Sequence, residues 1–185
     1  MEKVDTFIEL IKDQFTYGGK KYALDATRES TDVLFDKHGK NWLFGTIDKY
    51  TFRFRNLKRE RDLLKIATYM YILWLKRGFH IMKEGINDPA IDTNIQNKTD
   101  NFSDFIEKIK KFHPEFAKVR MNMTEEHTLY RISEMLQGFS VSEWKKINDY
   151  ELFMIVSYAY VIWEKKFGNV KKHDTDTYGN DQKIK

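Results

Sequence analysis

Between Asn41 and Phe79 the apolar residues recur at spacings of three and four with no proline among them, a period that belongs to helices and leaves little room for a sheet. Leu43, Ile47, Tyr50 and Phe54 fall at i, i+4, i+7 and i+11, on one face of a helix from about Asn41 to Arg55. In the next segment, about Arg59 to Arg77, the stripe is Leu63, Ile66, Met70 and Leu73 with Trp74, and Gly78 is a natural stop. The short joint Asn56–Leu57–Lys58 predicts an antiparallel helical hairpin. Only Pro89 and Pro114 interrupt the 185 residues, so the expected fold is an all-α bundle of about six to seven helices.

The remaining segments extend this reading. An opening helix, about Lys3 to Phe15, buries Val4, Phe7, Ile8 and Ile11 and ends at Gly18–Gly19. From Lys20 to Lys40 the pattern weakens to a loop with one short helix around Val33–Leu34–Phe35. Residues 85–101 are polar and rich in turn formers, which makes them the expected linker between an N-terminal half, 1–84, and a C-terminal half, 102–168. The second half opens with a helix from about Ser103 to Phe112, and Pro114 starts a turn or short helix. Thr124 caps a helix to Gln137 that Gly138 stops, Ser140 with Glu143 has capping-box spacing, and Asn148 with Glu151 repeats it ahead of a last helix, Asp149 to Phe167. The tail, 169–185, is expected to be disordered. At an offset of 89 residues Leu63, Ile66, Tyr69, Tyr71, Trp74 and Lys76 recur as Leu152, Ile155, Tyr158, Tyr160, Trp163 and Lys165. Both a duplication giving two pseudo-repeated halves and a shared demand of core packing account for that likeness.

Several function classes drop out on composition. There is no cysteine, so disulfides, thiolate metal sites and a thiol nucleophile are excluded, and a cytoplasmic setting is expected. No apolar run is long enough to cross a bilayer, so no membrane partner is expected. His38, His80, His113, His127 and His173 show no metal-ligand spacing, and there is neither a GxxxxGK[ST] phosphate loop nor a Ser-His-Asp order.

The positive charge is concentrated. From Lys49 to Lys65 there are seven basic residues against Glu60 and Asp62. Gly45, Lys49 and Arg53 stand at i, i+4 and i+8, a glycine in line with two cations, while Asp62, Lys65 and Tyr69 share a face of the next helix. Phosphoryl chemistry asks chiefly for positioning and positive charge. In that reading Lys49 and Arg53 hold phosphate, Lys65 or Arg55 stabilises the group in transfer, and Asp62 orients a hydroxyl or a magnesium ion. Tyr50 and Tyr69 are either core residues or platforms for a base, and the same cations also suit a solvated helix face.

The pattern Phe44–Gly45, Ile47, Lys49–Tyr50, Arg53, Lys58, Asp62–Leu63, Lys65 and Tyr69 resembles a small bacteriophage nucleotide kinase family that lacks a P-loop. The resemblance spans about thirty residues, with tighter spacing after Arg53 than the family has. Upstream, Tyr17–Gly18–Gly19–Lys20–Lys21–Tyr22 and Asn41–Trp42 are similar to the YGxKKY and NW elements of phage dATP/dGTP diphosphohydrolase-like domains. The resemblance implies a viral or virus-derived nucleotide-binding protein, with phosphoryl transfer to deoxynucleoside monophosphates and Mg2+ as cofactor if it is an enzyme. It also implies that Lys20, Lys21 and Tyr22 join the phosphate-binding set from a loop. The alternative is a non-catalytic binding protein that sequesters a nucleotide signal, contacts nucleic acid or inhibits a host protein. A kinase needs at least one available carboxylate, and a sequestering protein needs none.

Overall fold

The computed structural model describes residues 3–22, 30–83, 98–143 and 146–169, and among them there are seven helices and no strand. They are α1 (Lys3–Tyr22), α2 (Ser30–His38), α3 (Lys40–Leu57), α4 (Glu60–Lys83), α5 (Lys98–Arg120), α6 (Glu125–Val141) and α7 (Asp149–Lys166). The bundle is all-α, as the apolar period predicts.

Helix α3 buries the expected stripe, Leu43, Ile47, Tyr50 and Phe54, and α4 buries Leu63, Ile66, Met70 and Leu73. The turn between them is Lys58–Arg59, with Lys58 in the left-handed region (φ 52°) and its N–H donating to the Phe54 carbonyl at 2.9 Å. Arg53 meets Asp62, Tyr50 meets Lys65 and Trp42 meets Tyr69, so contacts recede from the turn on both helices together and the hairpin is antiparallel. A second tight joint lies between α2 and α3. There Gly39 has φ 66°, a region glycine enters without steric cost, and its N–H reaches the Phe35 carbonyl at 2.7 Å.

Helix α7 is buried almost all round, from Leu152 to Trp163, as befits a central helix. It packs against α4, α5, α6 and α1, while α3 packs on α4 and α6. Its N-terminus carries the expected capping box, with Asn148 accepting from the Glu151 N–H at 2.9 Å and Glu151 accepting from the Asn148 N–H. Thr124 likewise caps α6 through the His127 N–H. The aromatic core joins the two halves of the sequence: Phe105 of α5 lies 5.0 Å from both Tyr71 of α4 and Phe153 of α7, ring centre to ring centre. Phe7 of α1 sits 5.3 Å from Trp163. One contiguous cluster of buried side chains runs through six of the helices, all but α2. The two helices with shared spacing, α4 and α7, are neighbours within it.

Several expected helix ends are corrected. Helix α1 passes through Gly18–Gly19 to Tyr22, α4 through Gly78 to Lys83, and α6 through Gly138 to Val141. Ser140 therefore lies inside α6, its hydroxyl donating to the Gln137 carbonyl, and does not head a capping box with Glu143. Helix α5 begins at Lys98, inside the expected linker, and continues through Pro114. A proline there removes one backbone donor and crowds the carbonyl four residues earlier. The helix continues because Phe112 and Phe116 on either side pack on Tyr150, and Phe112 also packs on Phe153. The rest of the linker and the tail beyond Asn169 lie outside the described residues. No helix among the described residues is long and apolar enough to cross a membrane.

Candidate functional site

The α3–α4 hairpin sorts its cations onto two sides. Successive residues on a helix turn by about 100°, so Arg53 and Arg55 face away from one another. On the α6 side each cation has an acid: Arg55 lies 3.0 Å from Glu126, and Lys58 pairs with Glu125, which also takes Lys166 at 2.7 Å. Glu125 and Glu126 occupy the first turn of α6, where the helix dipole favours negative charge.

On the other side the cations converge on one ring. Lys49 Nζ stands 4.8 Å, Lys65 Nζ 4.6 Å and the Arg53 guanidinium 5.5 Å from the centre of the Tyr50 ring. Lys65 also donates to the Tyr50 hydroxyl at 3.1 Å. Tyr50 is only 6% exposed and stacks on half-buried Tyr69 at 5.7 Å, with Trp42 edge-on to Tyr69 at 6.1 Å. Tyr50 and Tyr69 are thus a buried wall beneath the cations. Arg61, at the start of α4, lies over Tyr17 of α1 at 5.6 Å.

The acid in this cluster is Asp62, 1% exposed, with Arg53 Nε 3.6 Å from one oxygen and no hydrogen-bond partner for the other among the described residues. Burial raises its pKa above the ordinary carboxylate value, against the pull of Arg53, Lys65, Arg59 and Arg61. Burial also lowers the Lys65 ammonium to about 8, helped by Arg61, Arg53 and Lys49 and opposed by Asp62. Neither Lys49 nor Lys65 forms an ion pair among the described residues.

A folded Lys65 that releases its proton near 8, against an ordinary value of 10.5, makes stability depend on pH. Between those values the unfolded chain holds more protons, so stability contributed at this site rises with pH. Urea midpoints measured from neutral pH to about 10.5 should show wild type gaining on Lys65→Met across that window. Parallel curves would mean that Lys65 titrates as a free lysine does.

The structure therefore brings together Lys49, Tyr50, Arg53, Asp62, Lys65 and Tyr69, and separates two residues from them. Arg55 belongs to the α6 side. Gly45, exposed on α3, lines a different hollow of about 380 Å³ between α3 and α6, with Asn41, Phe44, Asp48, Tyr130, Ser133 and Gln137. Residues 17–22 form the end of α1 and not the expected loop, and the side chains of Lys20, Lys21 and Tyr22 lie outside the described residues. Arg61 is the member that the line of cations on α3 does not pick out. Its position four residues before Lys65, on one helix face, is the available signal. No group of three His, Asp or Glu residues able to hold a metal ion occurs among the described residues.

Comparison with protein-family models, curated proteins and solved structures finds no match to the chain.

Proposed function

We propose that the hairpin face around Tyr50 binds the phosphate of a nucleotide or nucleotide-like small molecule, and that it binds without turning the ligand over. The supporting observation is the convergence of Lys49, Arg53 and Lys65 on one ring, with Lys49 and Lys65 in no ion pair among the described residues while the neighbouring Arg55 and Lys58 are in one each. Like charges drawn together repel, and an anion among them relieves that repulsion and offers each a charge-assisted hydrogen bond.

Phosphoryl transfer is the less favoured reading because of where Asp62 lies. A kinase needs a carboxylate that reaches a hydroxyl or a phosphate-bound magnesium ion, whereas Asp62 is buried against Arg53. In this reading its charge gathers the cations, and magnesium enters only with the ligand. The resemblance to phage nucleotide kinases supports a nucleotide as ligand and a virus-derived protein acting in the host cytoplasm, sequestering the nucleotide.

Calorimetric titration with a nucleoside diphosphate tests this. Wild type should bind with and without magnesium, more weakly as salt rises, and Lys49→Ala should cost about 1.5–3 kcal/mol of binding free energy, the range for a hydrogen bond to a charged group. Absence of binding, or an undiminished affinity in Lys49→Ala, would remove the proposal. Phosphate transfer from a donor nucleotide would instead restore the kinase reading, and preference for an oligonucleotide would favour nucleic acid.

A further inference from the structure

Helix α3 presents different chemistry to its two sides, and Gly45 lies on the ridge between them. Toward α4 stand the cations over Tyr50. Toward α6 lies the 380 Å³ hollow, whose rim holds the exposed amides of Asn41 and Gln137, the carboxylate of Asp48 and the half-exposed ring of Tyr130. Its volume falls in the range of small-molecule sites. Asp48 accepts from the Ser133 hydroxyl at 2.6 Å with one oxygen, and the two amides form no hydrogen bond among the described residues.

Gly45 has no packing role that explains it. Beyond the backbone of its own helix, a β-carbon there would meet no atom within 4 Å among the described residues, and glycine inside a helix is less stable than alanine. The missing side chain leaves open space on α3 at the edge of the hollow, one helical turn before Lys49 and about 40° from it around the axis.

We propose that this notch is where a nucleotide crosses α3, with its base and sugar in the α3–α6 hollow and its phosphates on Lys49, Arg53 and Lys65. The inference rests on the phosphate reading given above and adds a second subsite. The polarity suits such a ligand. Asn and Gln amides can pair with the edge of a base, the Asp48 carboxylate can accept from sugar hydroxyls, and an aromatic ring can cover a base face. Glu134 on that side is paired with Arg131, whereas the Asp48 carboxylate has only the Ser133 hydroxyl among the described residues and repels phosphate, so the anionic end lies toward Lys49. One turn of helix, about 5.4 Å, separates the notch from the first cation, a distance that a sugar spans.

The test compares inorganic pyrophosphate with a nucleoside diphosphate on the full chain. The nucleotide should bind more tightly than pyrophosphate. Gly45→Leu should fill the notch and weaken the nucleotide by about tenfold or more, the scale on which a pocket discriminates by steric fit, while pyrophosphate binding is unchanged. Gln137→Ala, at an exposed position, should act in the same direction with the fold untouched. Gly45→Ala should raise the melting temperature through helix propensity and yet weaken the nucleotide. Equal affinities for nucleotide and pyrophosphate, or nucleotide binding unmoved by Gly45→Leu and Gln137→Ala, would overturn the crossing and leave the phosphate site standing. Binding of neither probe to wild type would overturn both.

Discussion

Phe105→Ala is expected to lower the unfolding free energy by about 3–5 kcal/mol, in a single transition that involves the whole chain. The ring is 1% exposed and touches Tyr71 and Trp74 of α4, Phe153 of α7 and Phe102 of its own helix. Truncation removes the transfer free energy of a buried ring and leaves a cavity walled by other rings, which cannot collapse without shifting three helices. The location matters as much as the size. Phe105 belongs to the half of the sequence that follows residues 85–101, and Tyr71 and Trp74 to the half that precedes them. If the halves fold over one core, probes in α3–α4 and in α7 report the same lowered midpoint. Urea denaturation followed by the fluorescence of the four tryptophans, beside far-ultraviolet dichroism, makes that comparison. Two separated transitions, with α3–α4 unaffected, would mean that the halves fold independently.

The α3–α4 hairpin is legible in the sequence because its apolar stripe, its charge and its short joint agree. Asn148 and Thr124 are legible for a local reason, since a cap needs only its own side chain and the amide three residues on. Two of the helix ends that differ from expectation share a cause. Gly138 and Pro114 oppose a helix locally, but Phe139 beside the one and Phe112 and Phe116 around the other pack against neighbouring elements, and that burial outweighs one unfavourable residue. A sequence shows the breaker and conceals the partner helix.

The site divides in the same way. Lys49, Arg53 and Lys65 are legible as cations at helical spacing. Gly45 groups with Lys49 and Arg53 in the sequence because i, i+4 and i+8 look like a line, but eight residues drift by about 80° around the axis, enough to turn Gly45 toward the α6 side. Asp62 is legible as a carboxylate and not as a buried one. Its burial depends on the arrival of α3 and on Arg53 closing over it, which no local pattern encodes.

Arg53→Ala and Lys49→Ala are therefore expected to behave differently, although the sequence makes them look equivalent. Lys49 is exposed and has no acid among the described residues, so its removal should weaken ligand binding and leave stability unchanged. Arg53 holds two roles. It is one of the three cations over Tyr50, and it is the group nearest the buried Asp62 carboxylate. Its loss should weaken binding as Lys49→Ala does and also cost about 1–3 kcal/mol of stability, the range for a buried polar group left unsatisfied, with the lower end favoured because Arg53 is 36% exposed and water screens the pair. The stability cost has a pH signature. The Asp62 pKa is already raised by burial, and loss of Arg53 raises it further, so the folded variant holds its proton to higher pH than the unfolded chain does. Stability should then fall as pH rises through the ordinary aspartate value toward the raised one, and the deficit should be smallest in acid. Arg53→Ala combined with Asp62→Asn removes the orphaned charge, and should recover much of the stability at neutral pH without recovering the binding. Urea midpoints across pH, read beside nucleotide titrations of the same four proteins, separate the two roles. An Arg53→Ala protein as stable as wild type at every pH would show that Asp62 does not depend on Arg53, and binding restored by Asp62→Asn would show that Arg53 acts on the ligand only through that carboxylate.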